Sequence, residues 1–129
     1  MNRLPAINRV VVAVGNYPPL RTLRVQPAAL TLDRLNRLRR ADAIVRRMCA
    51  EFDASVWQFP IILIPLGTQE RPDSVVLRPV QSVDGMTANA VWMNPKQLDE
   101  VAAVLESVEG VAAVFYDVTN KPPATIEWE

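Results

Sequence analysis

Hydrophobic residues along the chain alternate between strand-like and helix-like spacing. Apolar, β-branched or alternating segments at residues 7–14, 20–25, 56–66, 74–80 and 111–118 predict five strands. The short turn over 67–73 predicts an antiparallel hairpin between the third and fourth strands. The third shows little alternation, so we expect it to be central, with Pro60 at a bulge or at a position without a ladder partner.

Two segments have the three-and-four spacing of amphipathic helices. A helix of about 20 residues is predicted from Thr31, its N-cap. Its apolar stripe is Leu32, Leu35, Leu38, Ala41, Val45, Met48 and Phe52, and its opposite face carries Arg34, Arg37, Arg40 and Arg47, expected to be solvated. The second helix is predicted after Asn94 and Pro95, with Leu98, Val101, Ala102 and Leu105 facing the core.

The order of these elements predicts an α+β fold. We expect a mostly antiparallel sheet of about four to five strands with two helices packed on one face. Two helices are too few to cover both faces of such a sheet, so the other face is expected to be open for burial by another surface.

Composition excludes several classes of function. Lys plus Arg equals Asp plus Glu at 14 each, which argues against a nucleic-acid partner. The chain has no histidine, one cysteine and four glycines, so His-based catalysis, an internal disulfide and a glycine-rich phosphate loop are excluded. Cys49 is expected to be a packed, unreactive thiol. The apolar run at residues 10–14 is too short for a membrane span, which predicts a cytoplasmic protein without a membrane partner.

The tail at residues 119–129 is the strongest candidate for a binding segment. It brings together an ammonium group at Lys121, a hydroxyl at Thr125 and carboxylates, and its two prolines lower the entropy lost on ordering. The residues alone support equally well a packed end of the chain, held by Ile126 and Trp128.

The segment Tyr116 to Glu129, with the sequence YDVTNKPPATIEWE, resembles the carboxyl end of glutamine-hydrolysing GMP synthetases. Segments 38–46, 56–59, 77–80 and 84–88 resemble the same family in the same order. The resemblance covers about residues 17 to 129, leaving 1–16 as an N-terminal extension with a short strand. It is limited to the family's C-terminal dimerisation domain.

The resemblance implies a dimerisation-domain-like fold, a homodimer and a tail that contacts xanthosine monophosphate. Lys121 and Thr125 would approach the nucleotide phosphate, and Ile126 and Glu127 the nucleoside. The family's amidotransferase and ATP-pyrophosphatase domains have no counterpart in this sequence. We therefore expect no catalytic residues, metal or cofactor in this chain, and ATP and Mg²⁺ would belong to a partner.

Three positions depart from the family pattern around the nucleotide. Ala113 stands where an arginine is common, the loop at 67–72 is shortened, and the segment at 17–19 lacks the family's glycines. These departures predict a weakened or altered pocket.

Three functions are compatible with this pattern. The first is a noncatalytic, stand-alone homodimer that contacts a purine nucleotide through its tail. The second is a subunit of a split GMP synthase that completes the nucleotide site of a separate ATP-pyrophosphatase chain in purine biosynthesis. The third is a purine-nucleotide-binding regulatory module.

Overall fold

The computed structural model describes residues 6–52 and 54–128, which form two α-helices and eight short strands. The strands are β1 (Val11–Val14), β2 (Arg24–Val25), β3 (Ile61–Ile64), β4 (Leu66–Gly67), β5 (Asp73–Leu77), β6 (Val80–Gln81), β7 (Asn89–Ala90) and β8 (Val111–Asp117). The helices are α1 (Leu32–Met48) and α2 (Pro95–Glu106), and a 3₁₀ turn spans Leu20–Thr22.

The main sheet has the order β1-β8-β5-β3. β8 is parallel to β5, while β1 and β3 pair with their neighbours in the antiparallel sense. The parallel pair needs a crossover, and α2 provides it between β5 and β8. Two small sheets, β2-β4 and β6-β7, complete the described fold. The predicted α+β class with a mostly antiparallel sheet is confirmed.

Both helices begin at the predicted caps. The Thr31 hydroxyl accepts a hydrogen bond from the Arg34 backbone N–H, and the Asn94 side chain accepts from the N–H groups of Lys96 and Gln97. These caps satisfy amides that have no partner within the helix. The first helix is shorter than predicted, because it ends at Met48 and leaves Phe52 in the following turn.

The main core lies between the helices and one face of the sheet. Its buried members are Ala41, Val45, Val75, Leu77, Met93, Val101, Ala102, Leu105, Val108, Val111, Val114 and Tyr116. Most of the two predicted helical stripes therefore face inward as expected. Leu32 is an exception, because it is exposed at the first turn of α1.

The other face of the sheet is not open, contrary to the sequence prediction. Leu23, which follows the 3₁₀ turn, is buried against this face together with Val76 and Phe115, and Trp128 of the tail packs at its margin. This face is covered by the irregular segment that contains the 3₁₀ turn and Leu23. The predicted number of helices could not indicate this, because the segment is not helical.

Prolines divide the strands predicted at 56–66 and 74–80. Pro65 separates β3 from β4, Pro79 separates β5 from β6, and Pro60 precedes β3. A proline cannot donate to the ladder, so each of these residues interrupts a strand, although its carbonyl oxygen still accepts a backbone hydrogen bond from a neighbouring segment. The prediction that the third strand is central was wrong: β3 lies at the edge of the sheet, and β5 and β8 form its centre.

The two N-terminal strands are also shorter than predicted. The segment 7–14 is a strand only over Val11–Val14, and the segment 20–25 is a 3₁₀ turn followed by the two-residue β2. The loop expected at 81–94 contains β7, which pairs with β6. β1 pairs with β8 over four residues, and this places the N-terminal segment in the main sheet.

Candidate functional site

The described part of the tail, residues 119–128, lies along the end of the sheet at which β5 and β8 finish. Lys121 pairs with Ala88 through two backbone hydrogen bonds of 2.8 and 3.1 Å. The Asn120 side-chain oxygen accepts from the backbone N–H of Ala90 at 2.9 Å. These contacts attach the tail to the loop that links β6 with α2.

A buried arginine holds the tail from inside the fold. The Arg78 guanidinium is 0% exposed and donates to the carbonyl oxygens of Thr119, Thr125 and Ile126 at 3.1, 2.7 and 3.0 Å. It also pairs with the buried carboxylate of Asp117 at 2.8 Å. Burial lowers the pKa of Arg78, and the nearby Asp117 charge opposes that shift. The arginine thereby replaces the water that the tail carbonyls would lose on burial.

Arg9 approaches the same tail from the N-terminal segment. Its Nη1 pairs with Asp117 Oδ2 at 3.0 Å, and its Nη2 donates to Thr125 Oγ1 at 2.9 Å and to the carbonyl oxygen of Glu127. The guanidinium lies 4.5 Å from the centre of the Trp128 ring, within cation–π range. Neither arginine was singled out as a site residue from the sequence.

The structure places the two predicted phosphate residues in different surroundings. Lys121 is half-buried, and its Nζ donates to the carbonyl oxygen of Gly85 at 2.7 Å. The Thr125 hydroxyl accepts from Arg9 and donates to the Glu127 carbonyl oxygen. A lysine ammonium carries three donors, whereas a hydroxyl carries one, so Lys121 keeps more hydrogen-bonding capacity for an anion than Thr125 does.

The two predicted nucleoside residues also differ. Ile126 is buried in a small cluster with Val80 and Ala88, so its side chain serves packing. Glu127 is exposed, and its carboxylate can accept hydrogen bonds from an outside hydroxyl. The four predicted residues therefore lie on one segment, in which Glu127 is exposed, Lys121 and Thr125 are half-buried and Ile126 is buried.

The loop at residues 82–87 lies next to the Lys121 side chain. Gly85, at a φ of +74°, makes the turn expected at Asp84-Gly85, and Asp84 Oδ1 accepts from the Met86 N–H at 2.9 Å. A side chain built at Gly85 would lie 3.6 Å from the Trp57 ring. Val83 and Met86 of this loop and the neighbouring Trp57 are exposed, so apolar side chains face solvent in and beside the loop that binds Lys121.

Two of the departures from the family pattern can be located. Ala113 is buried in β8 opposite Ser74, in the cluster that Leu23 covers. The short loop at 67–72 closes through a hydrogen bond from Thr68 N to the Arg71 carbonyl oxygen, close against Gly67.

A second ion cluster lies at the opposite end of the central strands. Asp73 is 1% exposed, and it is bound by Arg34 at 2.9 Å and by Arg37 at 2.6 Å. The sequence prediction that these two arginines are solvated was therefore wrong, whereas Arg40 and Arg47 are exposed as expected. A buried carboxylate requires such partners, and the cluster ties α1 to the start of β5.

A cavity of about 650 Å³ lies beside Cys49, between the end of α1 and β3. Apolar side chains of Val45, Phe52 and Phe59 contribute to its lining. Burial raises the pKa of the Cys49 thiol, which agrees with the predicted unreactive role. Within residues 6–52 and 54–128, no three metal-ligating side chains come together.

Neither helix of the described chain is long and apolar enough to cross a membrane.

Comparison with known proteins gives one consistent result. A family model described as the GMP synthase C terminal domain matches residues 48–128. A probable glutamine-hydrolysing GMP synthase of Leptospira interrogans is 37% identical over 132 residues, covering 99% of this chain and 22% of that protein. The corresponding enzyme of Bradyrhizobium sp. (strain ORS 278) is 41% identical over 131 residues, covering 92% of this chain and 24% of its own length.

The GMP synthase of Mycobacterium leprae is 40% identical over 111 residues, covering 78% of this chain and 21% of its own length. The chain thus spans about a fifth of the curated relatives it matches. The matching region includes the tail and its arginine anchor Arg78. On this similarity, the chain belongs to the GMP synthase C-terminal domain family.

Proposed function

We propose that this chain is a noncatalytic homodimer that offers its C-terminal tail to a purine nucleotide monophosphate, with xanthosine monophosphate as the first candidate. The observation that carries the proposal is the fixed tail, which Arg78 and Arg9 hold while Glu127 is exposed and Lys121 is half-buried. A preorganised segment loses little entropy when a ligand binds to it.

In the proposed complex, the Lys121 ammonium contacts the phosphate and the Glu127 carboxylate accepts hydrogen bonds from the nucleoside. Thr125 contributes to the phosphate site if its hydroxyl turns away from the Glu127 carbonyl, and Ile126 supports the segment from below. The charge-assisted contact from Lys121 supplies the largest share of the affinity.

Calorimetry with xanthosine monophosphate tests this nucleotide contact. We expect saturable binding that weakens by roughly 10- to 100-fold in Lys121→Ala, because a hydrogen bond to a charged group contributes on the order of 1.5 to 3 kcal/mol. Lys96→Ala removes an exposed lysine at the start of α2 and is the matched control. Absence of heat with any purine monophosphate would contradict the nucleotide contact.

The surface proposed for the homodimer is the segment at residues 17–32, which covers the second face of the sheet. It exposes Tyr17, Leu20, Val25, Leu30 and Leu32. A group of large apolar side chains on one exposed segment is typical of an interaction surface. An isologous interface would bury the segment against its own copy.

Sedimentation equilibrium at micromolar concentration tests the homodimer. We expect a dimer that dissociates when Val25→Glu and Leu30→Glu are combined, because the interface would then bury unpaired charges. Val83→Glu places the same charge in the 82–87 loop and should leave the dimer intact. A monomer in the unmodified chain rules out the proposed assembly.

A second candidate function is a subunit of a split GMP synthase. The exposed apolar side chains of Trp57, Val83 and Met86 favour it, because they lie in or beside the loop that binds Lys121 and would be covered by a partner. The partner would be an ATP-pyrophosphatase chain, which would hold ATP and Mg²⁺ and catalyse amination.

An amination assay on xanthosine monophosphate distinguishes this second candidate. An ATP-pyrophosphatase chain that lacks its own C-terminal domain should gain activity when this chain is added. Val83→Glu should abolish the gain, while the pair Val25→Glu and Leu30→Glu reports on the dimer surface separately. No change in rate on adding the unmodified chain would eliminate the candidate.

A further inference from the structure

We infer that Arg9 is a positioning residue, which sets the conformation of tail residues 125–128 from outside the tail. The inference deepens the proposed function, because the geometry that Arg9 fixes is the one proposed to receive the nucleotide. Arg9 lies just before β1, more than 100 residues from the tail, so its contacts depend on the tertiary fold.

Arg9 is itself held firmly. Its side chain is 8% exposed, and its Nη1 forms an ion pair with Asp117, which also pairs with Arg78. The backbone on the next residue is fixed too, because Val10 N donates to Thr119 Oγ1 at 2.8 Å. A guanidinium that is anchored in this way is a rigid donor rather than a flexible surface charge.

One edge of this guanidinium binds the tail at several points. The Arg9 Nη2 donates to the hydroxyl oxygen of Thr125 at 2.9 Å, to the Thr125 carbonyl oxygen at 3.2 Å and to the Glu127 carbonyl oxygen. The Trp128 ring packs over the same group. These contacts span three of the last described residues and therefore set the direction of the tail.

Arg9 and Arg78 hold the tail through different groups. Arg78 is fully buried and binds the carbonyl oxygens of Thr119, Thr125 and Ile126 from below, so its loss would affect the core. Arg9 contacts the Thr125 hydroxyl, and that hydroxyl donates to the Glu127 carbonyl oxygen. Arg9 thus sets the orientation of the Thr125 hydroxyl, which is proposed to contact the phosphate.

The experiment compares the full chain with Arg9→Met, Arg9→Lys and the control Arg39→Met. Arg39 is exposed on α1 and donates to Asn36 one turn away, so among the described residues it reports the loss of an arginine without a tail contact. Two readouts follow the tail: amide hydrogen exchange of residues 124–128, and the ¹⁹F resonance of fluorotryptophan at Trp128, assigned with Trp128→Phe.

In Arg9→Met we expect tail exchange to rise about tenfold or more and the Trp128 resonance to move toward its solvent-exposed position, because charge-assisted hydrogen bonds are lost. Exchange within β5 should rise much less than exchange in the tail, because Arg78 still pairs with Asp117. Arg9→Lys should restore the Trp128 resonance by keeping a cation near the ring, but should leave tail exchange fast, since one ammonium lacks the planar fork.

Unchanged tail exchange in Arg9→Met would overturn the inference. An equal rise of exchange in the tail and in β5 would also overturn it, because that pattern indicates a general loss of stability rather than positioning. Arg39→Met should match the unmodified chain in both readouts.

Calorimetry with xanthosine monophosphate separates this inference from the proposed function. If the unmodified chain binds, an affinity about tenfold lower in Arg9→Met supports the role, and an unchanged affinity with a loosened tail overturns it. If the unmodified chain does not bind, the proposed function fails, and the exchange and ¹⁹F data still decide whether Arg9 positions the tail.

Discussion

Two buried aspartates, each held by a pair of arginines, lie at opposite ends of the central strands. Asp117 ends β8 and is bound by Arg9 and Arg78, while Asp73 begins β5 and is bound by Arg34 and Arg37. Transferring a carboxylate from water to the protein interior is unfavourable unless opposite charges and hydrogen bonds replace the lost solvent. Each pair therefore fixes a distant segment onto the sheet: the tail at one end and α1 at the other.

The Asp117 site predicts the effect of Arg78→Met. The variant leaves the buried carboxylate with one arginine and removes the donor to three tail carbonyls. We expect the free energy of unfolding to fall by about 3 to 5 kcal/mol. Urea unfolding measures this change, with Arg39→Met as the exposed control that stays within about 0.5 kcal/mol. A loss as small as that of the control would contradict this account.

Glu106 predicts a dependence of stability on pH. Burial raises its pKa above the ordinary 4.5, although a hydrogen bond from the Asn16 backbone and the charge of Arg71 oppose the shift. The residue ends α2, where the helix dipole also disfavours a carboxylate. Because the folded pKa is raised, the contribution of Glu106 to stability is full at low pH and is lost as pH rises past 4.5 and through the folded pKa.

Glu106→Gln should therefore increase the free energy of unfolding at about pH 7 by less than about 1 kcal/mol, and the gain should vanish near pH 4. Urea unfolding at both pH values provides the measurement. A variant less stable than the unmodified chain at neutral pH would show that the Glu106 charge is favourable in the fold.

At the scale of elements, Gly110 lies in the turn between α2 and β8, and its backbone packs closely against Arg37 of α1. It has a φ of +83°, and a side chain built there would come within 2.4 Å of the Arg37 guanidinium. That guanidinium also donates to the carbonyl oxygen of Glu109 at 2.7 Å while it pairs with Asp73. The close approach therefore needs glycine for two reasons, backbone conformation and space.

Gly110→Ala should destabilise the fold more than Gly85→Ala does. Both positions have positive φ, which costs roughly 1 to 2 kcal/mol for a non-glycine residue. Gly85 has its nearest atom at 3.6 Å, so only Gly110→Ala also displaces an arginine. Urea unfolding of both variants, repeated with Arg37→Met, should show that the excess disappears once the arginine is gone. Equal losses in the two alanine variants would contradict the argument.

At the scale of the whole molecule, the first and last segments of the described chain depend on each other. β1 pairs with β8 along Val11–Val14, and Arg9 holds the tail that follows β8. A strand that loses its neighbour exposes unpaired backbone groups and becomes a site for association. The N-terminal segment therefore contributes both to the sheet and to the candidate site.

A chain that lacks residues 1–14 should unfold at lower urea concentration and should associate through the freed edge of β8. Val12→Thr keeps the strand and is the matched control, because threonine is also β-branched and Val12 is half exposed. Urea unfolding and light scattering measure the two effects. Stability equal to that of the control would show that β1 is dispensable.

The local pattern of the sequence determined the elements whose signals lie within a few residues. Thr31 and Asn94 marked the starts of the helices because caps act on the amides of the next turn. The tail motif identified the family, since its residues are consecutive. The position of Lys121 beside Gly85 still required the folded loop.

Only the tertiary structure decided which charges meet and which strands are central. Arg34 binds Asp73 across 39 residues of sequence, and Arg9 binds Asp117 across 108 residues. The spacing of hydrophobic residues therefore could not predict either ion pair. Pro65 and Pro79 were visible in the sequence, yet their effect on pairing depended on the neighbouring strand. Hydrophobic periodicity predicts which face of a helix or strand is buried. Which residues pack against that face depends on the distant segments that folding brings together.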